Sequence, residues 1–349
     1  MSKFAQKIIR WQLRDGRHDL PWQNTRDPYR IWISEIMLQQ TQVAAVIEYY
    51  ERFILRFPDI KSLASTPIDD VMPYWAGLGY YARARNLHKA AGLIEKNFDG
   101  IFPNNFDDAW SLPGIGRSTA AAICAFAYGE SRPILDGNVK RVIARYFDVK
   151  GDIRSKPIED AMWSIAEREA PRKQIEIYIQ GQMDLGATLC SRSAPKCLLC
   201  PLQDACVAHL EGRTNELPWR RSKKEARHRQ TQMLVMLFAN EVLIERRPPT
   251  GIWGGLWSLP EIAIDADAAA IAKARFGVSL ARGRRPQPLT QVEHGFTHYS
   301  LTIYPVEIAV GKRVPCATEP GTMWINLGDT QNAALPAPVK KILRNLQDN

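Results

Sequence analysis

The chain has 349 residues, of which 45% are hydrophobic and 24% are charged, a balance typical of globular proteins. At this length we expect two domains, each large enough to bury its own core. The formal net charge of +9 at pH 7 favours a polyanionic partner, although a modest excess also occurs in proteins that bind no nucleic acid. No run of 18 apolar residues and no apolar segment of a secretory signal is present, so we expect no membrane span and a reducing, cytoplasmic location.

The N-terminal region carries apolar residues at spacings of three and four, which predicts a mostly helical domain. Asp27 followed by Pro28 is typical of a helix start, because aspartate caps the first turn and proline fits its first position. We therefore predict a helix from Tyr29 to Leu38. The same spacing predicts further helices over residues 43–57, 85–97, 158–169 and 174–189.

Glu35 lies on the first of these predicted helices, at helical spacing from Ile31, Trp32 and Leu38. Its carboxyl group projects from an apolar face, where desolvation would raise its pKa. The alternative is a partly exposed glutamate at the edge of the apolar stripe, or one that pairs with an arginine such as Arg30.

The segment 77–85 reads Gly-Leu-Gly-Tyr-Tyr-Ala-Arg-Ala-Arg. Its glycines loosen a turn, its aromatic rings can stack on bases, and Arg83 and Arg85 can meet phosphates. The alternative is that Tyr80 and Tyr81 simply cover the edge of a core.

Residues 112–119 read Leu-Pro-Gly-Ile-Gly-Arg-Ser-Thr and precede a run rich in alanine. Two glycines around one apolar residue, directly after a proline, predict a tight hairpin that opens into a helix ending near Gly129. Because Gly114 and Gly116 have no Cβ, a nucleic-acid backbone can approach them closely. The N–H groups at the start of the helix can then hold a phosphate oxygen.

Asp136 follows in the sequence Asp-Gly-Asn, in the turn that opens the next predicted helix, 139–147. Such a tripeptide is an ordinary turn in which Asp or Asn caps a helix. A carboxylate at this point is also a candidate for chemistry. The tripeptide alone does not distinguish the two roles.

Four cysteines follow the last predicted helix of this region: Cys190, Cys197, Cys200 and Cys206. Their spacing favours a metal site. Zinc modules usually present two close pairs of ligands, whereas only the second and third cysteines form a close pair here, and the staggered set suits an iron–sulfur cube better. Cys124 and Cys316 are left over and are explained as buried or incidental thiols.

The sequence changes character after these cysteines. Residues 213–230 are rich in arginine and lysine and predict a basic linker. The runs 232–238, 242–246 and 300–308 predict strands, and 267–276 predicts a helix between them, which together indicate an α+β domain. Residues 254–261 read Gly-Gly-Leu-Trp-Ser-Leu-Pro-Glu and resemble the start of a Nudix box, but the segment 270–277 lacks the glutamates that would hold magnesium.

These motifs together resemble one family. The hairpin with its downstream aspartate resembles the helix-hairpin-helix DNA glycosylase superfamily. The segment 34–43, Ser-Glu-Ile-Met-Leu-Gln-Gln-Thr-Gln-Val, closely matches the MutY family of adenine DNA glycosylases, and the cysteine spacing matches the 4Fe–4S loop of endonuclease III and MutY.

The resemblance implies an all-α helix-hairpin-helix domain with a 4Fe–4S cluster loop over residues 1–212, a basic interdomain linker over 213–230, and an α+β Nudix-like (MutT-like) recognition domain over 231–349. The implied enzyme is a monomeric, monofunctional adenine DNA glycosylase without a membrane partner. Its substrate is double-stranded DNA that contains adenine opposite 8-oxoguanine or guanine.

The resemblance also implies roles for individual residues. Glu35 would give a proton to adenine and Asp136 would stabilise positive charge on the sugar, with Tyr128 and Asn138 lining the same pocket. Gln40, which the resemblance places at the end of its helix, and Tyr80 would fill the base stack. The remaining expected DNA contacts are Arg83, the hairpin residues Leu112, Gly114, Gly116 and Ser118, and the loop Phe296, Thr297 and His298, where the family has Phe-Ser-His. The expected cluster ligands are Cys190, Cys197, Cys200 and Cys206.

Three alternatives differ in mechanism or class. An endonuclease III-like glycosylase with lyase activity needs a lysine nucleophile where this chain has Ser118, and a serine cannot form the imine. A non-catalytic helix-hairpin-helix DNA-binding protein would leave Glu35 and Asp136 inessential. A Nudix hydrolase is disfavoured by the missing glutamates.

Overall fold

The computed structural model describes residues 1–219, 227–296, 299–312 and 321–347. The chain divides into two compact units, Met1–Ser65 with Asn86–Ser222 and Thr66–Arg85 with Lys223–Asn349. The second unit therefore includes residues 66–85, which the sequence analysis places in the first domain. One reason is the ion pair between Asp69 and Arg246, in which nitrogen and oxygen are 2.5 Å apart.

Helices dominate the chain up to the cysteine loop. In chain order they are α1 (Lys3–Asp15), α2 (Pro28–Leu38), α3 (Val43–Arg56), α4 (Ile60–Ser65), α5 (Ile68–Val71), α6 (Ala82–Asn97), α7 (Phe106–Ser111), α8 (Arg117–Tyr128), α9 (Gly137–Tyr146), α10 (Lys156–Glu169), α11 (Ile175–Thr188) and α12 (Val207–Leu210). Short 3₁₀ turns cover Met72–Tyr74, Cys197–Leu199 and Gln203–Ala205.

Local capping explains where the central helices start and stop. The Asp27 carboxylate accepts a hydrogen bond from the backbone N–H of Tyr29, and Pro28 occupies the first turn of α2. Helix α8 ends at Gly129, whose φ of 72° is left-handed. These boundaries confirm the predicted helices on either side of the candidate site.

Packing of the first unit brings distant segments together. Helix α1 packs on α11, α2 packs on α8, and α9 packs on both α10 and α11. The fully buried Trp32 and Phe53 lie in this core. As a result, α2 and the hairpin before α8, which are about 80 residues apart in sequence, become neighbours: the Gln39 side-chain amide donates to the Thr119 hydroxyl at 3.3 Å.

The second unit contains one mixed β-sheet, with both parallel and antiparallel strand pairs. Its strands are β1 (Arg227–Phe238), β2 (Glu241–Arg246), β3 (Trp257–Ser258), β4 (Glu261–Ile262), β5 (Gln287–Pro288), β6 (Val292–Gly295), β7 (Tyr299–Ala309) and β8 (Thr322–Asn326). The main order is β3-β2-β1-β7-β5, with β4 paired to β1, β6 to β7 and β8 to β2. Strands β1 and β7 run parallel over their whole paired length, from Arg227 opposite Tyr299 to Leu237 opposite Ala309.

Helices α13 (Ala268–Phe276) and α14 (Ala337–Gln347) complete this unit. Alternating residues of β1 and β7, such as Leu234, Met236 and Ile308, pack with Phe276 of α13 in one apolar core. The helical first unit and the α+β second unit confirm the predicted fold class. Within the described ranges, no helix combines the length and the apolar composition needed to cross a bilayer.

Candidate active site

A pocket of about 260 Å³ opens between α1, α2, α8 and α11, beside the loop that joins α1 to α2. Glu35 lies on its wall, next to the apolar side chains of Trp22, Ile31 and Phe126. The polar groups around it are Gln12, Arg17, His18, Gln23, Asn24, Thr25, Arg26, Ser34, Glu176 and Gln180. Mixed walls of this kind suit a planar heterocycle whose edge carries hydrogen-bonding groups.

The carboxyl group of Glu35 is set in an environment that favours its neutral form. Burial raises its pKa from 4.5 to about 8, and the negative charge of Asp136 acts in the same direction. Within the part of the chain that the structure describes, no protein donor forms a hydrogen bond with this carboxyl group. Glu35 is therefore protonated at pH 7 and can act as an acid toward a group in the pocket.

Asp136 caps helix α9. Its Oδ1 accepts a hydrogen bond from the backbone N–H of Val139 at 2.7 Å, and its Oδ2 is 3.4 Å from the donating amide of Asn138. Burial raises the pKa of Asp136, while these donors and the charge of Arg141 oppose the rise. Oδ1 of Asp136 therefore caps α9, and Oδ2, whose contact with Asn138 is longer, can take part in chemistry.

Two of the expected catalytic residues face other partners than the pocket. The Tyr128 hydroxyl donates to the backbone oxygen of Phe102 at 3.0 Å, and burial raises its pKa to about 12. The Asn138 side-chain oxygen accepts a hydrogen bond from Arg141 at 2.8 Å. The pocket wall, as far as described residues form it, includes neither of them. The shared pocket expected for Tyr128 and Asn138 stays a prediction, because Asp136 is likewise not among the described residues that form this wall. Asn138 contacts Asp136, and Tyr128 donates to the backbone of Phe102.

The hairpin between α7 and α8 has the predicted shape. Leu112 and Ile115 are buried and anchor it, and the N–H of Ile115 donates to the oxygen of Leu112 at 3.2 Å. Gly114 has a φ of 81°, and a Cβ there would lie 2.8 Å from the Cβ of Asn86. A Cβ on Gly116 would meet nothing within 4 Å, so this glycine faces open space directly before α8. The surface next to Gly116 is where a phosphate can approach the start of the helix.

Ser118 connects the hairpin to the candidate site. Its hydroxyl accepts a hydrogen bond from the backbone N–H of Leu135 at 2.9 Å, one residue before Asp136. Ser118 therefore fixes the segment that carries the carboxylate. A direct DNA contact by this side chain is a second role that would have to coexist with that bond.

The two expected wedge residues are both accessible. Helix α2 ends at Leu38, and Gln40 follows in an exposed turn with a left-handed φ of 58°. The expectation that Gln40 ends the helix is thus off by two residues, because the chain turns at Gln39. Tyr80 also has a left-handed φ, 48°, and is 45% exposed.

Arg83 points inward in this structure. The side chain is 8% exposed, its Nη2 donates to the backbone oxygens of Leu78 and Gly79, and its guanidinium lies 5.3 Å from the ring centre of Trp75. These contacts give Arg83 a structural role in the segment that precedes Tyr80, and its expected phosphate contact stays a prediction. Sequence spacing could not show this inward orientation.

The four cysteines of the loop after α11 are half-buried thiols without disulfide bonds. Burial raises the pKa of Cys200 to about 12, and the charges of the other three thiols act in the same direction. The four sulfurs therefore lie close enough to influence one another. Among the described residues, no group of three or more His, Cys, Asp or Glu side chains is arranged around a single metal ion.

Helix α9 holds this loop through two arginines. Arg145 is buried, and its Nη1 donates to the sulfur of Cys190 at 3.2 Å and to the oxygen of Ser191 at 2.7 Å. The Nε of Arg141 donates to the oxygen of Cys190 at 2.7 Å. The helix that Asp136 caps thus also carries the cationic groups that face the cysteine loop.

Of the expected loop in the second unit, only Phe296 is described. Its backbone N–H donates to the oxygen of Tyr299 at 2.8 Å, and its ring stacks on the ring of Tyr299 with 4.4 Å between centres. Thr297 and His298 lie outside the described residues.

Sequence reasoning missed most of the pocket wall, including Arg17 and Gln180, and it missed Asp184, which lies outside the wall and binds both of them. Asp184 of α11 is fully buried, pairs with Arg17, and accepts a hydrogen bond from the Gln180 amide at 3.0 Å. A carboxylate accepts hydrogen bonds but does not donate them, so the amide nitrogen of Gln180 must face Asp184. A charged residue within an otherwise apolar helical pattern is the one signal that could have indicated this arrangement.

Comparisons with known proteins agree with the two-unit fold. Residues 33–168 match the family described as HhH-GPD superfamily base excision DNA repair protein. Residues 232–345 match the NUDIX domain family. Among solved structures, a thermostable thymine-DNA glycosylase is similar to this chain with a TM-score of 0.54 and 30% identity, over 60% of this chain and 95% of that one.

Two relatives are similar over nearly the whole chain. The protein named adenine DNA glycosylase from Buchnera aphidicola subsp. Acyrthosiphon pisum (strain APS) is 38% identical over 352 residues, covering 99% of this chain and 98% of that protein. The protein of the same name from Mus musculus is 30% identical over 407 residues, covering 100% of this chain and 79% of that protein.

Proposed function

This chain belongs to the adenine DNA glycosylase family, and we propose that it hydrolyses the bond between adenine and its sugar where adenine lies opposite 8-oxoguanine or guanine in duplex DNA. One observation carries the proposal. Glu35 lies on the wall of a pocket that can accept a heterocycle, with a pKa near 8 and the Asp136 carboxyl close enough to interact with it.

Adenine must leave the base stack to reach Glu35, because the pocket lies inside the helical unit. The hairpin at Gly114 and Gly116 grips the DNA backbone through the N–H groups at the start of α8. Gln40 and Tyr80, both in exposed turns, enter the space that the adenine leaves. The unpairing costs about a few kcal/mol and is smaller at a mismatch.

The chemistry needs one acid and one negative charge. Glu35 donates its proton to the five-membered ring of adenine while the glycosidic bond breaks, and both electrons of that bond leave with the base. The sugar carbon becomes positively charged, and the Asp136 carboxylate stabilises it, either electrostatically through its negative charge or by transient covalent attack. A water molecule then adds to the sugar carbon and gives up a proton, which restores Glu35.

The same geometry supports an enzyme without lyase activity. Lyase chemistry of the endonuclease III type requires an amine that attacks the sugar, and Ser118 stands at that position of the hairpin. Its hydroxyl is engaged with the N–H of Leu135. We propose a monofunctional glycosylase that acts as a monomer.

The four loop cysteines, Cys190, Cys197, Cys200 and Cys206, would hold a 4Fe–4S cluster as thiolate ligands, and the electrostatic influence of the other three thiols on Cys200 supports this assignment. Arg145 donates a hydrogen bond to the sulfur of Cys190 and would supply a compensating positive charge at that thiolate. The cluster would hold the loop in shape. Purified protein should then be yellow-brown and contain about four irons per chain. A colourless protein with one zinc would contradict this assignment.

Single-turnover assays with the full chain test the function. Three duplexes contain adenine opposite 8-oxoguanine, guanine or thymine, and we expect adenine release to be fastest with the first and absent with the last. The abasic product should break only after alkali treatment. If adenine is released from none of the three duplexes, the non-catalytic DNA-binding alternative is favoured. Strand breakage without alkali would favour the lyase.

A further inference from the structure

The Nudix-like unit contains a glycine-rich loop, residues 247–256, to which the proposed function gives no role. Its last three residues begin the segment 254–261 that resembles the start of a Nudix box, but the glutamates that would make that segment a metal site are absent downstream. We propose that this loop is the platform that positions Phe296 against the base opposite adenine, with Trp253 as the positioning residue. The inference rests on the proposed function and on the DNA contact that the resemblance implies for Phe296.

The loop is tightly constrained. The N–H of Arg247 donates to the oxygen of Leu256 at 2.9 Å, and the N–H of Gly255 donates to the oxygen of Pro248 at 3.0 Å. A Cβ on Gly254 would lie 2.6 Å from the oxygen of Pro249, so the backbone approaches itself more closely than any side chain permits. Loops closed in this way hold a side chain in one place.

Trp253 sits at the tip of this loop in an unfavourable backbone conformation. Its φ is 53°, a left-handed value that glycine adopts freely and that an L residue adopts at a cost. Glycine precedes it at 251 and follows it at 254, yet position 253 carries the largest side chain available. The ring is 7% exposed. Strain retained at a bulky residue indicates that the ring itself is needed.

The ring of Trp253 packs directly against the residues that lead into the recognition loop. Its centre is 5.8 Å from that of His294 and 5.6 Å from that of Phe296. The His294 and Phe296 rings contact each other edge to face at 4.6 Å, and Phe296 stacks on Tyr299. Phe296 is therefore held on two sides, by Trp253 and by Tyr299, while part of its ring stays accessible.

The sheet holds the other side of Trp253. The guanidinium of Arg247 lies 5.7 Å from the Trp253 ring centre and pairs with Glu261 at 2.6 Å. Glu261 also accepts a hydrogen bond from the Thr231 hydroxyl of β1 at 3.1 Å. A continuous set of contacts thus runs from the central strand through Arg247 and Trp253 to Phe296.

The test compares matched tryptophans in the full-length protein. Trp253→Leu removes the ring from the platform, Trp253→Phe keeps a ring there, and Trp324→Leu removes a tryptophan that is also 7% exposed but lies in the core of the same unit. The readout is the ratio of the single-turnover rate constants for adenine opposite 8-oxoguanine and opposite guanine.

We expect Trp253→Leu to lower this ratio about fivefold, the size of one or two aromatic contacts. Trp253→Phe should keep the ratio near the parent value. Trp324→Leu should lower the melting temperature without changing the ratio. The proposal is overturned if Trp253→Leu leaves the ratio unchanged, or if Trp324→Leu lowers it equally, which would indicate general destabilisation.

A double variant provides a second measurement that does not depend on stability. If Trp253 acts through Phe296, then Trp253→Leu combined with Phe296→Leu has the same ratio as Phe296→Leu alone. If the two substitutions lower the ratio independently, so that their fold-changes multiply in the double variant, the proposal is overturned. A parent protein that excises adenine with no preference for 8-oxoguanine would instead refute the proposed lesion specificity, and that outcome is visible before any variant is made.

Discussion

Two carboxyl groups of the first unit share burial but differ in what surrounds them. Glu35 projects from an apolar face of α2 into the pocket, and burial raises its pKa to about 8. Asp136 lies at the start of α9, where two backbone N–H groups, the Asn138 amide and the charge of Arg141 favour its ionised form against burial. One site can therefore hold an acid and a carboxylate side by side, because the proton resides on Glu35, to which no described residue donates a hydrogen bond.

The largest effect is expected from removing the acid. Glu35→Gln keeps the shape and neutrality of the protonated side chain but cannot give up a proton, so adenine release should fall about a thousandfold, or roughly 4 kcal/mol. Single-turnover excision and a DNA-binding titration measure the two properties separately. Glu51→Gln, on the exposed face of α3, is the matched control. A rate within tenfold of the parent would remove Glu35 from the role of acid.

The next effect separates the two roles of Asp136. Asparagine is also a good helix cap, so Asp136→Asn should fold normally and lose about a hundredfold in excision because the charge is gone. Asp136→Ala loses the cap as well, which should add about 1 kcal/mol of destabilisation. Thermal unfolding and excision are measured on both variants. Full activity of Asp136→Asn would mean that the cap is the only role.

A smaller effect sharpens the contrast between the two carboxyl groups. Asn138→Ala removes one donor to Asp136 and loosens Arg141, so the pKa of Asp136 should rise further. The acid side of the pH–rate profile should therefore move to higher pH, with less than about a tenfold loss at neutral pH. Lys140→Ala on the same helix, whose partner is Glu159, should leave the profile in place. An unmoved acid limb in Asn138→Ala would show that its amide does not tune Asp136.

Local signals were enough to predict the framework of this site. Three of these signals act within a few residues: the cap at Asp27, the hairpin glycines and the helix stop at Gly129. They could therefore be predicted from the local sequence. Asp136 was predicted both as a cap and as a functional group, and the structure shows the cap. Helix α14 was not predicted, although Val339, Ile342 and Leu343 have helical spacing and are buried.

Tertiary contacts explain what sequence reasoning could not supply. The pocket wall combines residues from the ranges 12–35 and 176–180 with Phe126, and nothing in their local sequence shows that four helices meet there. An arginine such as Arg83 is a residue type that often contacts phosphates, yet its guanidinium donates to the backbone oxygens of Leu78 and Gly79. Such orientations depend on neighbours that fold into place.

The pH dependence of adenine release tests the central claim most directly, because it reports which protonation state of Glu35 is active. The pKa of Glu35 lies near 8, so the single-turnover rate constant should be steady around neutral pH. Above about pH 8 it should fall as the acid ionises, with a limiting slope of tenfold per pH unit. Measurements from pH 5 to pH 10 on the adenine–8-oxoguanine duplex, with DNA binding checked at each pH, give the profile. A rate constant that stays level or rises through pH 9 would contradict the assignment of Glu35 as the proton donor.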